Sequence, residues 1–297
     1  MQKTMSVDRA RLRRHIEQLT ATTRPAQTAE LEAAQRYVAG LVESSGWLVE
    51  RQEFTATTDQ GETLAGVNLV ARRRGGASGR GRLCVGAHLD SRPESPGADD
   101  NASGVAVLLE AARILNDDWP PIATLDLELV FFDLEENGML GGAHHAAQAR
   151  RAAIDLRGMV SLEMLGYCSH APQSQALPRA LAGLYPDVGN FIAVVGNQNS
   201  GRLIEAFSAG LRRVAGLPVE TLQVPANGDY LQATRLSDHS PFWDAGYAAL
   251  MITDTSFLRN PHYHLPSDTV ETLDFDFLEL VGQGCCEAIR SLIAAGL

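Results

Sequence analysis

The stretch from Leu83 to Leu115 constrains the fold of this chain most strongly, because it joins two regular elements through a loop rich in acids. Its first residues form a short apolar run that predicts a strand, and its last residues repeat apolar side chains at helical spacing. The loop between them contains a His-x-Asp pair and an Asp-Asp pair. Burying these carboxylates in a turn is costly unless a cation pairs with them. We therefore interpret the stretch as half of a site for two metal ions.

Strand patterns alternate with helix patterns along the chain. The predicted strands cover residues 47–54, 65–71, 83–87, 125–132, 159–165, 191–195 and 248–253. The predicted helices cover residues 7–20, 28–45, 104–115, 141–151, 201–215 and 270–295. Such alternation is typical of an α/β fold, here a three-layer α/β/α sandwich in which helices cover both faces of a mixed, mostly parallel sheet. We expect a single domain over residues 1–297, with an irregular excursion near 166–190 and a charged hairpin turn within 71–82.

The composition argues against several classes of function. The 297 residues carry a net charge of -11, which disfavours binding to nucleic acid or to an anionic membrane surface. No run of about 18 apolar residues predicts a membrane span, and the N-terminus lacks the apolar core of a signal peptide. The four cysteines lack zinc-finger spacing and are expected to be reduced thiols. These features predict a cytoplasmic protein.

The acids that can carry chemistry lie at or just after the ends of predicted strands. They are Asp90, which follows His88 by two residues, then the adjacent pair Glu135 and Glu136, and finally Glu163. In open α/β sheets, ligands bind beyond the carboxyl ends of the strands. We therefore expect these side chains to converge on one site.

Two adjacent acidic pairs indicate a division of roles. Of Asp99 and Asp100, one carboxylate can bridge two cations, while helix capping is the alternative role for the other. Of Glu135 and Glu136, one can bind a cation while the other takes the proton of a water molecule. The alternative is that both glutamates are solvated in a turn, as charged residues usually are.

Histidines complete the set of metal-ligand types. His88 and Asp90 point the same way in an extended chain, which suits an imidazole whose second nitrogen donates to a carboxylate. His262 and His264 lie in a turn after the last predicted strand, and one of them is expected to be the remaining ligand.

Six short motifs together resemble a known family. They run in family order from about residue 83 to 269, with compatible spacing: GAHLDS, GADDNASG, DLEENGMLGG, SLEMLGY, SDHSPFW and YHLPSDT. This pattern is similar to that of the zinc-dependent metallopeptidase family of bacterial leucyl aminopeptidases, glutamate carboxypeptidase and glutaminyl cyclases. The resemblance implies a zinc-exopeptidase-like fold for most of the chain.

The resemblance also implies a role for each site residue. His88 and Glu163 would bind one zinc ion, and Glu136 and His264 would bind the other. Asp99 would bridge the two ions and would be followed by a cis peptide bond. Glu135 would be the general base, and Asp90 would orient His88. Glu163 departs from the aspartate that the well-known aminopeptidases carry at this position.

The function implied by the resemblance is hydrolysis of an N-terminal peptide bond with two zinc ions. The partner would be a peptide substrate with a free N-terminus. Tyr230 is expected to bind the substrate and could donate to the developing oxyanion. One alternative is a glutaminyl-peptide cyclotransferase, which uses a similar ligand set. Another is a non-catalytic binding domain of the same fold. A serine hydrolase is disfavoured, because the sequence contains no G-x-S-x-G motif.

Overall fold

The computed structural model describes residues 6–73 and 81–297. Its strands are β1 (Trp47–Thr57), β2 (Thr63–Arg73), β3 (Gly81–His88), β4 (Leu125–Phe132), β5 (Leu156–Glu163), β6 (Ile192–Asn197), β7 (Val219–Val224) and β8 (Ala249–Thr253). Its α-helices are α1 (Arg9–Leu19), α2 (Ala29–Ser44), α3 (Gly104–Asp117), α4 (Leu140–Arg151), α5 (Gly201–Leu211), α6 (His239–Asp244) and α7 (Phe275–Ala295). Within the described residues, none of the helices has the length and apolar character needed to cross a bilayer.

The strands form one mixed sheet in the order β1-β2-β4-β3-β5-β8-β6-β7. The four central strands β4, β3, β5 and β8 are parallel to one another. Their carboxyl ends therefore meet at one edge of the sheet. Antiparallel pairings join this parallel centre to β2 on one side and to β6 on the other.

Apolar side chains on the two faces of the sheet form two cores. Along β3, Leu83 and Val85 pack into the core that helices α1, α2, α3, α5 and α7 cover, whereas Cys84 packs into the core under α4 and α6. This alternation follows from the twofold side-chain period of a strand. The predicted α/β/α sandwich with a mixed sheet is therefore confirmed.

The predicted elements differ from the structure mainly by two omissions. The prediction omitted β7, whose side chains are mostly half-buried, and α6, which spans only six residues and contains Pro241. The segment 166–190 contains a single 3-10 turn, Arg179–Leu181. Residues 74–80 of the predicted charged turn lie outside the described part of the chain. The strands on either side of that turn are not a hairpin, because β4 lies between β2 and β3.

Arg24 holds the loop that precedes the Asp-Asp pair. Its side chain is buried, and its guanidinium donates hydrogen bonds to four backbone carbonyl oxygens. These belong to Leu19 at 2.8 Å, Leu89 at 2.9 Å, Pro96 at 2.8 Å and Gly97 at 3.2 Å. Burial lowers the pKa of Arg24 to about 10, so the guanidinium is charged at neutral pH. One side chain thus ties α1 to the loop that enters the acidic site.

We expect Arg24→Met to destabilise the fold. The substitution leaves four buried carbonyl oxygens without their donor, at a cost of at least about 3 kcal/mol in the free energy of unfolding. Urea unfolding followed by tryptophan fluorescence measures the loss. Arg36→Met is the matched control, because the Arg36 side chain is 67% exposed and pairs with the exposed Glu32. Equal unfolding midpoints for the two variants would contradict the role of Arg24.

Candidate metal centre

Five of the predicted site residues lie together at the carboxyl edge of the parallel strands. His88 is the last residue of β3, and Glu163 is the last residue of β5. Glu135 and Glu136 follow β4, and His264 follows β8. These side chains converge because parallel strands bring their last residues to one side of the sheet, as the sequence indicated.

Six ligand atoms of five residues form two clusters that share Asp100. In the first, His88 Nε2 lies 3.1 Å from Asp100 Oδ1 and 3.5 Å from Glu163 Oε1. In the second, His264 Nε2 lies 3.2 Å from Asp100 Oδ2 and 3.2 Å from Glu136 Oε2. Each cluster brings its ligand atoms within 4.8 Å of one another. One oxygen of Asp100 thus faces each cluster.

The donor set fits divalent metal ions. Among the described residues, His88 Nε2 and Glu136 Oε1 are buried atoms without a hydrogen-bond partner of good geometry, although other polar atoms lie close by. Buried polar groups are normally hydrogen-bonded, so such atoms call for another partner. Imidazole nitrogens and carboxylate oxygens are ligands that Zn²⁺ accepts, and each cluster offers three of them.

The electrostatics of the acids favour a cation as well. Burial raises the pKa of Glu136 to about 7, with the charge of Asp100 adding to the effect, and burial raises the pKa of Glu163. Asp100 differs, because its interactions with the adjacent His264 and His88 rings outweigh its burial and lower its pKa. The site therefore gathers more acid than its two imidazoles neutralise.

Asp90 positions both the first histidine and the glutamate pair. Its carboxylate lies 3.5 Å from His88 Nδ1, and its backbone oxygen lies 3.2 Å from the same nitrogen. Its two carboxylate oxygens also accept hydrogen bonds from the backbone amides of Glu135 at 3.2 Å and Glu136 at 3.1 Å. The contact with His88 was expected. The contacts with the two amides were not, because they depend on the turn after β4.

The structure corrects the residue at the shared position: Asp100, not Asp99, faces both clusters. The Asp99 carboxylate accepts hydrogen bonds from the Gly166 amide at 2.8 Å and the Asn260 side chain at 2.7 Å. It also lies against Asp254. Burial and the charge of Asp99 raise the pKa of Asp254 well above its ordinary value. Asp99 therefore points into the protein. The cis peptide bond joins Asp100 to Asn101 and not Asp99 to Asp100.

Backbone contacts around the acidic pair explain which aspartate faces the site. Gly97 has a left-handed φ of 66°, and a Cβ there would collide with the carbonyl oxygen of Asp100. Asp268 accepts hydrogen bonds from the amides of Asp99 at 3.0 Å and Asp100 at 3.2 Å. Asn101 Oδ1 accepts from the Gly104 amide at the start of α3, so the helix-capping contact belongs to Asn101 and not to Asp100.

The longer side chain of Glu163 still reaches the first cluster. Its Oε1 lies 3.5 Å from His88 Nε2, and its Oε2 accepts a 2.7 Å hydrogen bond from the Ser237 hydroxyl. Sequence reasoning did not include Ser237. The SDHSPFW motif could have pointed to it, since that motif was already part of the family pattern.

The structure does not bring Tyr230 to the site as predicted. Its side chain is 89% exposed. The aromatic residue beside the centre is Tyr263, which stacks on the His264 ring with 3.7 Å between ring centroids. His262 lies outside the clusters, and its Nδ1 is 3.0 Å from the Ser267 hydroxyl. Tyr263 was missed, although its position between two histidines was the available signal.

Sequence comparisons match the chain to a peptidase family and to individual relatives. The family model described as Peptidase family M28 matches residues 68–289. The uncharacterized protein YfbL of Escherichia coli K12 is 36% identical over 290 residues, which cover 92% of this chain and 85% of that protein. A probable leucine aminopeptidase of Trichophyton verrucosum is 29% identical over 80% of this chain. The chain spans 62% of the length of that fungal relative.

Solved structures show the same fold. The aminopeptidase from Aneurinibacillus sp. strain AM-1 has a TM-score of 0.73 and 18% identity, covering 97% of this chain and 94% of that one. The zinc aminopeptidase BSAP of Bacillus subtilis has a TM-score of 0.75 and 16% identity over 98% and 96%. A glutaminyl cyclase of Tannerella forsythia has a TM-score of 0.74 and 24% identity over 99% and 100%. The two activities therefore share this architecture.

We expect Asp100→Asn and Asp99→Asn to separate the two adjacent aspartates. Asp100→Asn replaces the shared carboxylate by a neutral amide, so zinc affinity should fall by at least about 10–100-fold. This is the range seen when even the groups that orient a metal ligand are removed. Asp99→Asn keeps an oxygen for the Gly166 amide and should retain most of the metal. Competition with a chelator measures both affinities. A larger loss for Asp99→Asn would contradict the placement of the two side chains.

Proposed function

The chain belongs to Peptidase family M28, and from this premise we propose that it is a zinc-dependent aminopeptidase that hydrolyses N-terminal peptide bonds. The observation that carries the proposal is the Asp100 carboxylate, which presents one oxygen to each of two His-Glu pairs. A shared acid between two ligand clusters is the arrangement that a two-metal hydrolase requires.

Two zinc ions would be held by the clusters described above. His88, Glu163 and Asp100 would hold the first, and Asp100, Glu136 and His264 would hold the second. When bound, such ions polarise the scissile carbonyl and make water more acidic, with a pKa of about 7. Asp90 would keep the His88 ring in its ligating orientation through Nδ1.

Glu135 would be the general base. Its Oε2 lies 4.0 Å from His88 Nε2, and its side chain is 14% exposed, so it borders the clusters while remaining accessible. Burial raises the pKa of Glu135 well above its ordinary value. A carboxyl group shifted in this direction can accept a proton from the attacking water and later return it to the leaving amine.

An apolar cavity beside Glu163 would receive the N-terminal side chain of the substrate. Its volume is about 90 Å³. Glu163 belongs both to the cavity wall and to the first cluster, so a side chain in the cavity would lie close to the scissile bond. The wall is mostly apolar and includes Leu177, Phe191, Val195, Leu222, Met251 and Phe257. Such a wall favours leucine-like side chains over charged ones.

A paired-substrate assay tests the proposed function. The zinc-loaded protein should release leucine from a Leu-initiated peptide and should leave the N-acetylated form of the same peptide intact. A Lys-initiated peptide should be cleaved at least about 10-fold more slowly, because the apolar cavity cannot solvate its charge. A Gln-initiated peptide distinguishes the glutaminyl cyclase alternative, in which ammonia and a cyclised peptide form. Cyclisation without hydrolysis, or no turnover of any peptide, would overturn the aminopeptidase proposal.

We expect Glu135→Gln and Glu136→Gln to fail in different ways. Glu135→Gln removes the proton acceptor but no ligand, so turnover should fall by about 10²–10⁴-fold while zinc content stays unchanged. Glu136→Gln replaces a ligating carboxylate by a neutral amide and should lower zinc content. Both variants are compared for turnover, zinc content and inhibitor binding. Zinc loss in Glu135→Gln with retention in Glu136→Gln would exchange the two roles.

Two further properties remain predictions. The four cysteines, Cys84, Cys168, Cys285 and Cys286, are free thiols, which is compatible with the predicted cytoplasmic location. Cell fractionation tests that location.

A single catalytic domain over residues 1–297 also remains a prediction, and limited proteolysis tests it.

A further inference from the structure

A second group of metal-ligand side chains lies outside the proposed zinc centre. It comprises Cys168 and His170 in the segment that follows β5, and Asp274 at the start of α7. One ligand atom from each lies within 4.8 Å of the other two. Cys168 and Asp274 are half-buried and His170 is exposed, so the group is open to solvent. None of its members belongs to the clusters that share Asp100.

The sulfur–nitrogen distance in this group is close to that in a tetrahedral metal site. Cys168 Sγ lies 3.8 Å from His170 Nε2. Zinc-sulfur and zinc-nitrogen bonds at a tetrahedral angle separate the two ligand atoms by about 3.6 Å. Asp274 uses Oδ1 to accept hydrogen bonds from the Asp276 and Phe277 amides at 2.9 and 3.0 Å. No hydrogen bond to its Oδ2 comes from residues 6–73 or 81–297.

Neighbouring groups hold the three side chains in place. The side-chain amide of Asn190 lies 3.4 Å from His170 Nδ1. With its oxygen turned towards the ring, this amide accepts from Nδ1–H and leaves the Nε2 lone pair facing the sulfur. The backbone amide of Asp274 donates a 2.9 Å hydrogen bond to the Gly166 carbonyl oxygen, which ties the start of α7 to the segment carrying Cys168. The geometry is therefore fixed by contacts from three parts of the chain.

The electrostatics disfavour a role for the Cys168 thiol as a nucleophile. Burial, aided by the charge of Asp274, raises the pKa of Cys168 to about 11. Without a cation the sulfur is therefore a protonated thiol at neutral pH and a weak nucleophile. A divalent cation reverses this effect, because it displaces the thiol proton and gains from the nearby carboxylate.

The other cysteine-containing group does not offer a comparable site. Cys84, Glu128 and His145 also lie within 4.8 Å of one another, but all three are buried. Glu128 already pairs with Arg72 at 2.6 Å and Arg82 at 3.0 Å. Both His145 nitrogens have polar partners, Gln52 and Glu128. Two guanidinium groups and a filled hydrogen-bond set disfavour a cation there.

We propose that Cys168, His170 and Asp274 form an additional binding site for a thiophilic divalent cation such as Zn²⁺, Co²⁺ or Cd²⁺. The site supplies one sulfur, one nitrogen and one oxygen ligand, and its open side leaves room for a water molecule. An ion bound there fastens the segment after β5 to the first turn of α7.

Cobalt titration of the metal-free full chain tests this site directly. A thiolate bound to Co²⁺ produces a sulfur-to-metal charge-transfer band in the near ultraviolet. The proposed zinc centre contains no sulfur ligand, so the band reports only on a cysteine site. We expect a saturable band in the natural chain that strengthens as the pH rises, because cobalt must displace the thiol proton. Absence of the band would overturn the proposal, whatever the peptidase activity.

Single substitutions assign the band to named residues. Cys168→Ser should abolish it, and His170→Ala should weaken cobalt binding by at least about 10-fold, since losing a ligand costs no less than losing an outer-shell partner. Asp274→Asn should also weaken binding while keeping the helix cap, because asparagine caps as well as aspartate. Cys84→Ser is the control and should leave the band unchanged. A band that persists in Cys168→Ser and disappears in Cys84→Ser would place the site in the buried group and overturn the proposal.

Discussion

The division of the Asp100 carboxylate between two histidines is the interaction on which the candidate centre depends. Oδ1 faces His88 and Oδ2 faces His264, and each histidine is accompanied by a glutamate. This geometry requires β3, β4 and β5 to end at the same edge of the sheet. It also requires the loop after β3 to turn back over that edge. The parallel order of the central strands meets the first requirement, and the loop held by Arg24 meets the second.

The centre concentrates acidic groups that would repel one another in a dry interior. Backbone amides and neutral side chains offset part of this cost at the acids that are not ligands. Asp90 and Asp268 each accept hydrogen bonds from two backbone amides. Asp99 accepts hydrogen bonds from one backbone amide and from the Asn260 side chain. The proposed ligands have fewer such contacts, and His88 Nε2 and Glu136 Oε1 have none. The acids that are not ligands are therefore stabilised by hydrogen bonds, whereas the proposed ligand atoms remain available to cations.

Much of the architecture follows from short-range patterns. The apolar run of β4 predicted its bounds, and the acids after the strands were expected to converge because parallel strands deliver them to one edge. The choice between Asp99 and Asp100 could not be made in this way. Both are aspartates, and their directions depend on Gly97 and on amide contacts with Asp268, which is remote in sequence. The position of Tyr230 could not be predicted either, because an aromatic side chain suits a pocket, a core or a surface equally well.

The position of bound zinc tests the central claim most directly. Crystals grown with zinc would be measured with X-rays at the zinc absorption edge, and an anomalous difference map would locate the ions. At the centre, apart from any peak at the separate Cys168 group, the account predicts two peaks about 3.5–4 Å apart, one beside each oxygen of Asp100. One ion would be accompanied by His88 and Glu163, and the other by Glu136 and His264. A map without peaks at these clusters, or with a peak bound by Asp99 in place of Asp100, would contradict it.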